Sequence, residues 1–175
     1  TLIDARYIDS SFNEALFNGS FPTPQRLWMI SPRLDYQINA TNTLVMRYHH
    51  IDNSTVSGVG QFNLPGQQSN QTQKSNVAQI TETAILGTKV VDETRFQFSD
   101  THSSQTGVGD FSIPGLNVSS SFNGGGAPFA LNYTRNKEYE LQNFATMAEG
   151  RHTVKLGGQM RQTDSIWRFL PGDQV

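Results

Sequence analysis

Apolar and polar positions alternate along much of this chain, in runs that come in pairs. The clearest run is 43–51, TLVMRYHHI. Leu44, Met46 and Tyr48 share one parity there, while Val45, Arg47 and His49 share the other. Successive side chains of a strand point to opposite faces, so this period predicts a strand with two unlike faces. Paired runs are joined by very short turns. Consecutive pairs are separated by stretches rich in Gly, Ser, Asn and Gln. Tight turns at one end and long polar loops at the other are how a transmembrane β-barrel is built.

The first run, about 27–38, puts Trp28, Ile30, Leu34, Tyr36 and Ile38 on one parity against Arg33, Asp35 and Gln37. Pro32 interrupts it, which calls for a bulge there or a strand that begins at Arg33. A turn at 39–42 leads into a strand over 43–52. Further strands are expected at about 76–86 and 90–100, joined by Gly87-Thr88-Lys89, and at 136–148 and 152–162, joined by Glu149-Gly150-Arg151. Residues 1–25 lack sustained periodicity and read as the end of a surface loop. With 53–75 and 101–135 they make up the expected extracellular loops. The third strand is the awkward one. Glu82 shares its parity with Ala78, Ile80, Ala84 and Leu86, so a bulge, a register change or a reversal is expected near it.

The fold class is therefore all-β: an antiparallel, up-and-down transmembrane barrel segment of about six strands in three hairpins. Composition agrees. The apolar fraction is 35% and the mean hydropathy -0.47, little for a soluble core but enough for strands apolar on one side only. No apolar run approaches the ~20 residues of a spanning helix. The net charge of -2 offers no footprint for nucleic acid. With no cysteine there is neither a disulfide framework nor a thiolate metal site. The chain opens TLIDARYID and closes PGDQV, so both ends read as cuts through a longer protein.

Parity sorts the side chains. Arg33, Asp35, Arg47, Glu93, Arg95, Lys155 and Arg161 are expected to face a lumen. Leu44, Met46, Tyr48, Phe96, Phe98, Val154, Leu156 and Met160 are expected to face lipid. Trp28, Tyr133, Tyr139 and Trp167, toward the long-loop ends, suit an interfacial aromatic girdle, or else the core of a β-sandwich. Carboxylates at Asp35, Glu82, Asp92, Glu93, Glu138 and Glu140 can pair with arginines across neighbouring strands. His49 and His50 are adjacent in a strand, point to opposite faces, and cannot both ligate one metal. No spacing selects an acid/base pair, a nucleophile or a phosphate cradle. No catalytic residue, cofactor or metal is therefore expected.

Three runs carry a resemblance: SPRLDYQINATNTLVMRYHH (31–50), ETAILGTKVVDETRFQF (82–98) and YELQNFATMAEGRHTVKLGGQMR (139–161). Together they resemble the barrel portion of TonB-dependent outer-membrane receptors. The nearest branch is the Oar-like group, which carries a carboxypeptidase-regulatory-like domain. The resemblance covers roughly residues 24–162. It implies a barrel of about 22 strands closed around a plug, with this chain as part of the wall and no plug domain in it.

What the resemblance implies about function is uptake across the bacterial outer membrane. External loops would capture a solute, and the inner-membrane TonB complex would act on the plug through a missing N-terminal part. The partners are then outer-membrane lipid, the plug and remaining barrel of the same protein, the TonB complex and an unidentified solute. Two other readings stay open: a surface adhesion or structural barrel without transport, and a soluble all-β binding module. The last predicts that Leu44, Met46, Tyr48, Val154, Leu156 and Met160 are buried under a second sheet.

Overall fold

The computed structural model describes residues 2–8, 11–119 and 121–171. Thr1, Asp9, Ser10, Ser120 and 172–175, the last within the expected PGDQV turn, lie outside them. Among the described residues eleven strands follow in chain order, all pairing antiparallel. β1 (Leu2–Ile8) and β2 (Glu14–Ser20) form a hairpin of their own, braced by a 2.7 Å ion pair between Arg6 and Glu14. The expected N-terminal loop is thus largely two paired strands. Each strand has only seven residues, too short a run to read as sustained periodicity, and their pairing satisfies the peptide groups.

β3 (Gln25–Ile30) and β4 (Arg33–Asn39) both pair with β5 (Asn42–Ser57), occupying successive stretches of one edge. The break falls at Ser31-Pro32. Proline has no N–H to give the ladder, but its carbonyl still accepts from Tyr48 N at 3.1 Å. The turn into β5 is closed by Asn39. Its Oδ1 accepts from the backbone N–H groups of Thr41 and Asn42 at 2.9 and 3.0 Å, as Asn side chains do in tight turns.

β6 (Ser69–Leu86) and β7 (Val90–Gly107) continue the sheet. A small hairpin of β8 (Gly115–Val118) and β9 (Phe122–Gly125) lies in the following connection. β10 (Phe129–Glu149) and β11 (His152–Pro171) complete the order β11-β10-β7-β6-β5-β3, with β4 on β5 beside β3. This is the expected up-and-down meander.

The strands are longer than their periodicity suggests. The expected loops 53–75 and 101–135 shrink to 58–68 and 108–128, since β5, β6, β7 and β10 run into them. Both faces of the β6 and β7 extensions are polar, so alternation fades there, whereas in β10 Phe129, Leu131 and Tyr133 still alternate with Ala130, Asn132 and Thr134. The cross-strand ladder holds them instead. β10 has 21 residues, ~70 Å of strand at ~3.4 Å per residue, far more than a bilayer core of ~30 Å requires.

The sheet has no apolar interior. Among the described residues Ala127 is the only buried apolar one. Leu156 and Met160 are 70% and 71% exposed. The second sheet that a sandwich would lay over them does not exist among the described residues.

Gly157 and Gly126 are among the glycines that mark close approaches. A Cβ at Gly157 would strike the Phe144 ring and the Asn143 carbonyl. Phe144 therefore lies on the strand beside it, with the Lys155 ammonium 4.6 Å above the ring. Gly126, the last of three consecutive glycines, would place a Cβ against the carbonyls of Ile113 and Asp110. It packs into the loop rather than loosening it.

Candidate functional site

Paired residues in an antiparallel sheet share a face, so the register assigns every side chain to one of two faces. Arg33, Asp35, Arg47, Glu93, Arg95, Lys155 and Arg161 all lie on one, the polar face. Leu44, Met46, Tyr48, Phe96, Phe98, Val154, Leu156 and Met160 all lie on the other.

The apolar face is built in rows. One row crosses the sheet as Leu34, Met46, Ile80, Phe96, Leu141 and Met160. The band begins at the short-turn end with Leu86, Val90, Met147 and Val154, and ends at Tyr48, Ala78, Phe98 and Tyr139. From Val90 to Phe98 is ~27 Å of strand, on the scale of the ~25 Å apolar band of a barrel wall. Phe98 and Tyr139 pack with centroids 5.0 Å apart. The Tyr48 hydroxyl donates to Asn76 Oδ1 at 2.8 Å, just beyond the band.

Past that aromatic row the same face turns ionic. Arg135 grips Asp100 with two hydrogen bonds of 2.9 and 2.6 Å. Lys74 Nζ lies 3.1 Å from Asp52. Trp28 and Tyr133 stand on this face as well, but Trp167, expected in the same girdle, stands on the polar face. Its parity with Arg161 in β11 is the sequence signal for that placement.

Glu82 departs from expectation in the opposite sense. β6 runs without a register shift, so Glu82 does stand on the apolar face, opposite Leu44 and Thr94. Its cross-strand surroundings are polar. The Asn143 amide there donates to Asp92 Oδ2 at 3.0 Å and to Thr94 Oγ1 at 2.9 Å.

The polar face centres on Glu140, which is only 5% exposed. Arg161 donates to its Oε2 from Nε at 3.0 Å and from the terminal nitrogen at 2.5 Å. Gln159 donates to the same oxygen at 2.8 Å, and Gln142 to Oε1 at 2.5 Å. Arg95 lies 3.7 Å from Oε1 and donates to Gln142. The carboxylate is thus surrounded by donors from β7, β10 and β11, as a buried charge requires. Arg33 and Asp35 pair along their own strand at 2.7 Å.

Beyond Glu138, toward the long loops, the polar face carries no charge. The rows there are Ile51, Ser75, Thr101, Asn136 and Ser165; then Asn53, Gln73, Ser103, Thr134 and Trp167; then Thr55, Gln71, Gln105, Asn132 and Phe169. Trp167 and Phe169 stack with centroids 6.1 Å apart and planes 4° from parallel. The Trp167 indole N–H donates to Asn132 Oδ1 at 3.2 Å.

The two long loops meet at the end of this wall. Gln67, closing a single 3-10 turn over Pro65–Gln67, donates to the carbonyls of Gly124 and Gly126 at 3.0 and 2.9 Å. Asn123 donates to Asn63 Oδ1 at 2.7 Å. In the second loop Asp110 accepts from the Ser112 hydroxyl and backbone N–H at 2.6 and 2.8 Å. Those bonds, the hydroxyl's foremost, hold its pKa below the ordinary carboxylate value. His49 and His50 take separate partners, Ser31 and Asn76, on opposite faces. No group of His and acidic side chains among the described residues is arranged to hold a metal ion.

A family model described as an outer membrane beta barrel domain matches residues 7–171. No curated protein and no solved structure matches the chain.

Proposed function

The chain belongs to the outer membrane beta barrel domain family, and on that premise we propose that it is wall from a TonB-dependent receptor that imports a solute. Its place is the bacterial outer membrane, in contact with that membrane's lipid. The polar face lines the lumen, the apolar face meets lipid, and the joined loops form part of the external mouth. The Oar-like branch is the proposed affiliation. A plug and the inner-membrane TonB complex are the proposed partners. The chain itself catalyses nothing in this reading.

The observation that supports it is the inverted burial. Glu140 is sheltered among donors while Met160 and Leu156 stand exposed on the other side. That is the wrong way round for water and the right way round for lipid outside a wet lumen.

Uptake tests the reading. Cells carrying the complete protein should accumulate its solute, and lose that accumulation when the TonB complex is deleted or the proton gradient collapsed. Solute held at the surface with no energy-dependent uptake would instead favour an adhesion barrel.

A further inference from the structure

Charge on the long-loop half of the sheet is partitioned completely between its faces. The face continuous with the apolar band carries Asp52, Lys74, Asp100, Arg135 and Lys137 there. The polar face carries only hydroxyls, amides and a few apolar or aromatic groups. Polar sequence alone would scatter charge on both. The loops that follow continue the neutral side. Residues 58–68 contain no charged residue, and 108–128 contain only Asp110, whose carboxylate is occupied by Ser112.

We propose that the solute is a neutral, hydroxyl-rich oligosaccharide, bound along this uncharged wall with Trp167 and Phe169 as its stacking platform. The proposal rests on the lumen-facing and import readings above.

A charged solute would lose hydration on this wall and find no countercharge. The nearest cations on the polar face, Arg47 and Arg161, share a row on the short-turn side of Glu138, outside this wall, and Arg161 is committed to Glu140. A polyol loses less. Ser, Thr, Asn and Gln both donate and accept, so each sugar hydroxyl can exchange water for wall. The Trp167–Phe169 pair supplies the apolar complement, a flat surface for the C–H face of a pyranose ring. Trp167 is 68% exposed. Its indole N–H is already bonded to Asn132, which fixes the ring plane and leaves the Asn132 amide free to donate.

Equilibrium binding to the complete protein in detergent tests this. The probes are maltohexaose, cellohexaose, laminarihexaose and mannohexaose, against hexagalacturonate as a charged control of equal length. At least one neutral hexaose should bind more tightly than hexagalacturonate. Trp167→Ala should weaken it tenfold or more, and Trp167→Phe should restore most of that loss, which a purely structural role would not predict. Failure of all four neutral probes, or preference for hexagalacturonate, overturns the proposal. So does unchanged affinity in Trp167→Ala. Neutral binding lost in Trp167→Ala but without energy-dependent uptake keeps the saccharide-binding wall and removes the import reading; uptake of a charged solute alone does the reverse.

Discussion

Glu140 and Arg161 face each other across β10 and β11, and two guanidinium nitrogens of Arg161 donate to the same carboxylate oxygen, Oε2, at 3.0 and 2.5 Å. The pairing joins a sheltered acid to a half-exposed base. Removing the base leaves the acid among partners too few to replace it. Arg161→Ala should therefore lower stability more than Arg33→Ala, whose ion pair with Asp35 is exposed and lies within one strand. Urea midpoints for the complete protein in lipid vesicles would show the difference; equal midpoints would remove Glu140 from the centre of the wall.

Phe96 and Gln97 are neighbours on β7 that stand on opposite faces. Phe96→Arg puts a cation in the apolar band and should cost about 2–4 kcal/mol. Gln97→Arg puts the same cation opposite Glu140 and should cost little. Folding yield into vesicles, read by heat-modified gel mobility, checks the pair. A larger defect for Gln97→Arg would reverse the assignment of the two faces.

Gln67 ties two loops that are distant in sequence. Gln67→Ala removes both of its bonds to the Gly124 and Gly126 carbonyls, each worth ~0.5–1.5 kcal/mol. The expected result is faster amide exchange and easier proteolysis within 108–128, with the unfolding midpoint of the wall unchanged. Unaltered exchange would mean the loops order separately.

Asp110 makes the same loop sensitive to acid. Its folded pKa is depressed by Ser112, first through the hydroxyl and then through the backbone N–H. A depressed carboxylate contributes stability above its unfolded pKa and loses it as pH falls through the folded value. Proteolysis within 108–128 should therefore rise on acidification through the carboxylate range. Asp110→Ala should be cleaved as readily at neutral pH, with no further rise in acid. A rise of equal size in Asp110→Ala would assign the effect to another group.

Gly157 limits substitution on the polar face. Gly157→Ala places a methyl against the Phe144 ring and the Asn143 carbonyl, an overpacking that costs ~1–3 kcal/mol. Shaving the ring with Phe144→Ala should recover only part of it, because the carbonyl belongs to the backbone. A double-mutant cycle on urea midpoints measures the recovery, and full rescue would place the whole constraint in the ring.

The sequence by itself determined the two faces. Alternation is a local property of extended backbone, so parity alone separated Arg33, Arg47, Arg95 and Arg161 from Leu44, Phe96, Leu156 and Met160. It also located the short turns, where Asn39, Gly87 and Gly150 carry their own conformational signal. Only the tertiary structure decided how far the strands run and what meets across them. Residues 69–75 and 101–107 show little apolar alternation, yet they are strands because a hairpin ladder, once begun, satisfies each new peptide group against its neighbour. Register is likewise not local. It set Arg161 against Glu140 and Trp167 against Thr134, and kept Glu82 on the apolar face without a bulge.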